Sequence, residues 1–236
     1  MIKLGFQSCR YNNLFIEQEM DMALKSRIDF FDVFFDGFNS RDIENPGNVK
    51  LMEDITVHLP LDFTSLASED KEAYFDYINR RKPKCVTVSF DNLSYEELEM
   101  ICTNIKGPVV AVTNTIGDKH RIYGCTFYEF LLQAKMILER KMLKVNVTLD
   151  TGVAKLNGQN PVEYAKNLIK DGFTILSVHL HDNDGSTDYH WPAGSVANGI
   201  DFENFVRVLE EQGREVWGVI DHWNNNYNAL EYLRSI

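Results

Sequence analysis

The stretch Val178-His179-Leu180-His181-Asp182-Asn183-Asp184-Gly185, followed by Asp188-Tyr189-His190 and Gly194, places three imidazoles and several carboxylates at the end of one short apolar run. A strand sends successive side chains to opposite faces. On that alternation Ile175, Ser177, His179 and His181 share one face, and Leu176, Val178 and Leu180 share the other. The apolar face calls for a covering helix. The polar face calls for a site, and a cluster of this kind can hold a metal.

Outward from this run, short β-branched or aromatic segments alternate with helical ones along the whole chain. Strands are expected over 2–7, 30–36, 55–59, 85–91, 109–113, 144–150, 175–181 and 216–221. Helices are clearest over 94–105, 126–141, 161–170 and 202–212, where Ser94, Asn160 before Pro161, and Asp201 supply N-caps and Gly172 and Gly213 suit the exits. Eight strand–helix units with no linker or change of composition predict one closed (β/α)8 TIM barrel, a single domain over residues 1–236.

The same alternation sorts the other strands. Val145, Val147 and Leu149 face the helices while Asn146, Thr148 and Asp150 point inward; Thr87, Ser89 and Asp91, and Thr56 and His58, point inward likewise. Lys3, Gly5 and Gln7 line the first strand's inner face, and Lys3 is placed to form a buried ion pair with Asp32. The last inward residues are Gln7, Asp36, His58, Ser89 or Asp91, Thr113, Asp150, His179 or His181, and Asp221. They form a polar ring at the C-terminal mouth, the rim on which barrel enzymes carry their chemistry.

Composition narrows the function classes. The 236 residues, 44% of them apolar, can bury a substantial core. No apolar run reaches the roughly 18 residues of a membrane span, and the opening Met1-Ile2-Lys3-Leu4-Gly5-Phe6 lacks the pattern of a leader. The chain reads as cytoplasmic, and Cys9, Cys85, Cys102 and Cys125 as reduced thiols without CxxC spacing. A net charge of −11 repels a phosphate backbone, which disfavours nucleic acid as a partner. A small polar ligand fits better, and nothing in the sequence argues against an oligomer.

The run Leu149-Asp150-Thr151-Gly152, the segment from Val178 to Asn183, Asp188-Tyr189-His190, Gly194 and Gly199-Ile200-Asp201-Phe202 together resemble the xylose isomerase-like TIM barrel superfamily. His58-Leu59-Pro60 extends the resemblance toward the N-terminus. That superfamily includes sugar phosphate isomerases and epimerases, hydroxypyruvate-type and inosose-handling enzymes, and apurinic endonucleases of the endonuclease IV type. The resemblance implies a divalent metal held at four strand ends by a Glu, an Asp, a His and a second Glu, the two Glu also acting as acid and base. Asp150 and His179 match the Asp and the His. Asp221 stands for the second Glu with a carboxylate about 1.5 Å shorter in reach, and Thr113 replaces the first Glu. The endonuclease pattern matches at His58, Asp150, His179, Asp188, His190 and Asp221, but Ser89, Thr113 and Val153 replace a His, a Glu and a His of its trinuclear zinc cluster.

Asp150, His179 and Asp221 are therefore the candidate ligands for Mn, Mg, Co or Zn, with His181 beside them. Asp221 is the candidate base, with His58 or His190 as its proton partner. His58, Asp188, His190 and Trp191 are the candidate substrate contacts, and Phe38 and Trp223 further pocket walls. Asp36 and Asp91 are the carboxylates able to replace the missing one. Glu203 and Glu231 read as solvated surface. The leading expectation is a metal-assisted sugar isomerase or epimerase of carbohydrate metabolism, removing the proton alpha to a carbonyl of a small polyhydroxylated compound. The competing reading is a non-catalytic or repurposed barrel that binds a small polar ligand in the same mouth, and apurinic endonuclease activity ranks last.

Overall fold

Strand follows helix as the sequence alternation requires. A computed structural model describes residues 1–8, 24–35, 54–221 and 226–236, the last stretch with side chains from residue 228. The strands are β1 (Ile2–Gln7), β2 (Phe30–Phe34), β3 (Ile55–His58), β4 (Cys85–Ser89), β5 (Val109–Thr113), β6 (Asn146–Asp150), β7 (Thr174–Leu180) and β8 (Val216–Ile220). They are parallel, pair in sequence order and close on themselves between β8 and β1, the architecture of a (β/α)8 TIM barrel. The described helices are α1 (Ser68–Arg81), α2 (Tyr95–Asn104), α3 (Phe127–Glu139), α4 (Thr151–Leu156), α5 (Pro161–Lys170), α6 (Phe202–Glu210) and α7 (Asn226–Ser235).

The helix starts follow from local chemistry. Ser94 with Glu97 and Thr126 with Glu129 form reciprocal capping boxes, and the Asn160 side chain accepts from the backbone N–H groups of Val162 and Glu163 ahead of α5. The short α4 has no counterpart among the expected helices: Asp150, the last residue of β6, caps it directly through Val153 N–H, so strand passes into helix with no loop between.

Two layers of side chains hold the barrel together. Between strands and helices, Val57, Val88, Val112, Leu149, Val178 and Ile220 meet helix residues such as Ile101, Leu131 and Leu168 in one buried cluster, each contributing about 1.5–3 kcal/mol by burial. Inside the barrel a smaller apolar plug of Phe30, Cys85, Ala111, Leu176, Trp217 and Val219 fills the lower half. Gly5 makes room for it. A Cβ there would sit 2.5 Å from the Phe30 carbonyl oxygen and 2.7 Å from its ring. Gly5→Ala is expected to lower stability by about 1–3 kcal/mol through overpacking, measurable as a reduced urea midpoint.

Above the plug lies a polar layer. The Thr87 and Thr148 hydroxyls bond across the barrel at 2.8 Å, and Asp32 accepts from Thr56 at 2.5 Å and from Gln7 at 3.1 Å. The expected Lys3–Asp32 ion pair does not occur among the described contacts. The register sets Gln7, not Lys3, opposite Asp32, and burial raises the Asp32 carboxyl above its ordinary pKa.

The seventh strand corrects the simple alternation. Between β6 and β7 the register steps from Val147↔Ile175 to Thr148↔Ser177, so Leu176 is an extra residue at a bulge. Ile175 consequently joins the outer cluster with Val178 and Leu180, while Leu176 turns into the inner plug. Beyond the bulge the expected faces hold.

Candidate functional site

The mouth is built by the ends of β3 to β8. At β6, Asn114 clips the strand end to β5: its side-chain amide donates to the Asp150 carbonyl at 3.0 Å and its oxygen accepts from Asp150 N–H at 2.8 Å. The Asp150 carboxylate, tied to α4, also lies 2.8 Å from His181 Nε2. Thr151 donates in a shared bond to the His179 and His181 carbonyl oxygens, 2.9 Å from each. The two strand ends carrying the chemistry are thus locked to one another.

His179 stands between two carboxylates, its Nδ1 3.4 Å from Asp221 Oδ2 and 3.9 Å from Asp150 Oδ2. His190 Nδ1 is 3.4 Å from Asp221 Oδ1, and its Nε2 is 3.2 Å from Asp188. The His190 ring stacks on His181 with centroids 3.8 Å apart and planes within 7°. Its backbone is left-handed, φ 46°, an uncommon conformation for a side-chain-bearing residue that turns up at ligand clamps. An antiparallel bridge between Asp182 and Trp191 folds this loop back, and the buried Asp182 carboxylate accepts from the N–H groups of Asn183 and Ile200.

One ligand atom each from Asp150, His179 and Asp221 lies within 4.8 Å of the others, and the same holds for His181, His190 and Asp221. Asp221 belongs to both groups. Burial works against its charge, but the bonds and charges of His179 and His190 hold its carboxyl well below the usual range. Burial likewise opposes the charge of Asp150, and His181 and His179 outweigh it, lowering that carboxyl too. Burial disfavours the His190 cation, yet Asp188 and Asp221 raise it to about 11. His179 is raised in the same way, chiefly by Asp221 against the cost of burial.

On the opposite arc His58 packs against Phe34 and meets His179 edge to face at 5.3 Å. Burial, reinforced by His179, pushes its pKa down to about 3, so the ring is neutral. Among the described residues neither of its nitrogens has a hydrogen-bond partner, nor do Ser89 Oγ, His179 Nε2 and His181 Nδ1, all of them buried. Among the described residues Thr113 Oγ1 reaches only the Asn114 carbonyl, at 3.5 Å.

Other expected residues fall elsewhere. β4 ends at Ser89, and Asp91 lies in the turn beyond it, 3.3 Å from Arg121 Nε, so it does not replace the missing carboxylate. Asp36, Phe38 and Trp223 lie outside the described residues. Trp191 is partly exposed on the loop, edge to face with Tyr189. Glu203 pairs with Arg207 on the surface of α6, and Glu231 is exposed on α7. Among the described residues no helix is long and apolar enough to cross a membrane. Sequence reasoning missed Asn114, Thr151 and the role of Gly152, whose Cβ would stand 2.0 Å from His181 Cε1. The signal was available only in part: a glycine directly after Asp-Thr at a strand end marks a close approach, but not by what.

No family model matches the chain. An uncharacterized protein of Methanocaldococcus jannaschii is 36% identical over 98 residues, 42% of this chain and 31% of that protein, so the match spans about a third of the relative's length. Among solved structures, a D-tagatose 3-epimerase-like protein superposes over 99% of this chain and 96% of its own with a TM-score of 0.72 at 18% identity. A xylose isomerase domain protein from Alicyclobacillus acidocaldarius follows the fold with a TM-score of 0.66 at 14% identity, over 100% of this chain and 96% of its own. Endonuclease IV from Thermus thermophilus gives 0.59 at 16%, over 99% and 98%. The chain's fold, a closed (β/α)8 barrel, is thus similar to that of these three proteins.

Proposed function

We propose that residues 1–236 work as one barrel domain and as a divalent-metal-dependent isomerase or epimerase of a small polyhydroxylated carbonyl compound. The observation that carries this reading is the convergence of Asp150, His179 and Asp221, one ligand atom from each within 4.8 Å, at the ends of three successive strands. Two carboxylate oxygens and an imidazole nitrogen are a donor set suited to Mn, Mg, Co or Zn with open positions for substrate. The residues fit such an ion: both carboxyls are held anionic, and among the described residues the buried His179 Nε2 lacks a hydrogen-bond partner. The epimerase-like and xylose isomerase-like names of the structural neighbours support the same class.

A divalent ion bound by Asp150, His179 and Asp221 supplies Lewis acidity to adjacent carbonyl and hydroxyl oxygens. The protein's own groups then divide the proton work. Asp221 takes the proton alpha to the carbonyl, its anionic form maintained by His179 and His190. His190, cationic between Asp188 and Asp221, donates at a substrate oxygen, and the neutral His58 orients the substrate from the opposite arc. Asp188 and Trp191 border the entry on the folded-back loop.

Titration of chelator-stripped protein with Mn²⁺ or Zn²⁺ against a competing dye tests the reading. One ion per chain is expected, lost in Asp150→Asn and His179→Ala, together with exchange of the alpha proton into deuterated water on a panel of ketoses. Thr113→Glu should tighten metal binding by restoring a fourth ligand. Absence of both binding and exchange in the unaltered chain and in Thr113→Glu would sink the enzyme.

A second reading is favoured by the pairing of Asp221 with His179 and His190, which lets the imidazoles satisfy the carboxylate without an ion. On that reading the barrel binds a small polar ligand without turning it over, and ligand affinity would survive Asp221→Asn with no proton exchange in any form.

A further inference from the structure

We propose that Ser89, together with His58, forms a hydroxyl-recognition subsite that takes the uncharged polyol end of the substrate and rejects a phosphorylated one. This rests on the sugar-handling reading above and names residues and a substrate class that reading leaves open.

The mouth has two unlike arcs. From β6 to β8 it carries carboxylates and imidazoles already engaged with one another. From β3 to β5 it carries His58, Ser89 and Thr113, with no carboxylate, lysine or arginine among these strand-end residues. Ser89 pairs in register with Thr113, and the His58 ring spans the barrel toward His179. Ser89 is 4% exposed and His58 6%, yet among the described residues Ser89 Oγ and both His58 nitrogens have no hydrogen-bond partner.

Buried polar groups are normally satisfied, and each orphan costs roughly 1–3 kcal/mol. Three orphan atoms on adjacent strand ends, all at the mouth, therefore mark where a ligand's polar atoms belong. The chemistry of the missing partner follows from the donors. A serine hydroxyl and an imidazole each donate one hydrogen bond and accept another, which matches a substrate hydroxyl that also does both. A phosphate or carboxylate only accepts, so it would leave the accepting nitrogen of the His58 ring and the lone pairs of the Ser89 hydroxyl unsatisfied, and none of the strand-end residues His58, Ser89 and Thr113 is a lysine or arginine that could pair with it.

The test uses calorimetric titration of Mn²⁺-loaded protein with D-fructose, D-tagatose, myo-inositol, a set of monodeoxyfructoses, and D-fructose 6-phosphate. At least one free sugar should bind at least tenfold more tightly than the phosphate ester. Ser89→Ala should weaken that sugar about tenfold, the effect of one lost hydrogen bond of about 1.4 kcal/mol. One monodeoxy analogue should bind the variant and the unaltered protein equally, because it already lacks the hydroxyl that Ser89 holds. The ligand-free variant should melt at or above the unaltered midpoint, since a buried orphan has been removed. Equal binding of the phosphate ester, no loss in Ser89→Ala, a uniform loss across all deoxy analogues, a midpoint lowered by more than about 4 °C, or no sugar binding at all would each overturn the subsite. Metal titration without sugar reads the underlying site separately: metal bound but sugar effects absent defeats the subsite alone.

Discussion

Asp221→Asn is expected to keep much of the metal affinity and to lose about 10²–10⁴ in rate, the usual range for removing a general base. The amide retains an oxygen for the shared position but cannot take a proton, and it no longer holds His190 as a cation. A fall in rate with no change in metal titration supports the assignment, whereas an unchanged rate of alpha-proton exchange places the base elsewhere. The pH dependence of metal-free stability gives an independent check. His190 is raised to about 11 in the folded protein, so its contribution is complete below the unfolded value of about 6.5 and drains away as pH rises toward 11. The Asp221 contribution runs the other way, present above the unfolded carboxyl value of about 3.9 and lost as pH falls through its lower folded one. Unaltered protein should therefore lose stability steadily from pH 7 to 11, and Asp221→Asn should show a flatter slope there.

Gly152→Ala should be the most damaging small substitution at the mouth. The added methyl would lie 2.0 Å from Cε1 and 2.4 Å from Nδ1 of His181, a ring with no solvent-exposed surface into which it could retreat. Overpacking costs about 1–3 kcal/mol, and breaking the 2.8 Å His181–Asp150 bond adds about 1.5–3 kcal/mol for a charged partner. Loss of about 3 kcal/mol or more in urea unfolding is expected, with metal affinity falling alongside it because Asp150 loses the imidazole that orients it. Native stability in the Gly152→Ala protein, with an unperturbed His181 imidazole signal, would show that the ring is not seated as described.

The barrel was legible because its signals are local and repeated. Val86, Val88 and Phe90 alternate with Thr87 and Ser89, the caps sit at Ser94, Asn160 and Asp201, and eight such units have one closed arrangement. The proximity of Asp150, His179 and Asp221 followed from the same alternation, since each ends its strand or lies one residue from its end. What escaped was set by relations between strands. The bulge depends on how β7 pairs with β6, which no property of residues 174–180 taken alone discloses. The Asp32 partner depends on the β1–β2 register, which sets Gln7 opposite it rather than Lys3. Alternation alone carries Asp91 on a strand that ends two residues earlier, at Ser89. The stacking of His190 on His181 needs the left-handed turn at residue 190, for which a histidine gives little warning.

The extra residue at Leu176 makes β7 two segments in different phase. Leu176 itself enters the hydrophobic plug, and above it the inward positions are matched to the mouth. The inserted residue works as a frame adapter, allowing the plug to select for volume and the mouth for chemistry without one dictating the phase of the other. Sequence drift in the plug can then accumulate on its own schedule, and the chemistry of the rim can be exchanged on an unchanged foundation.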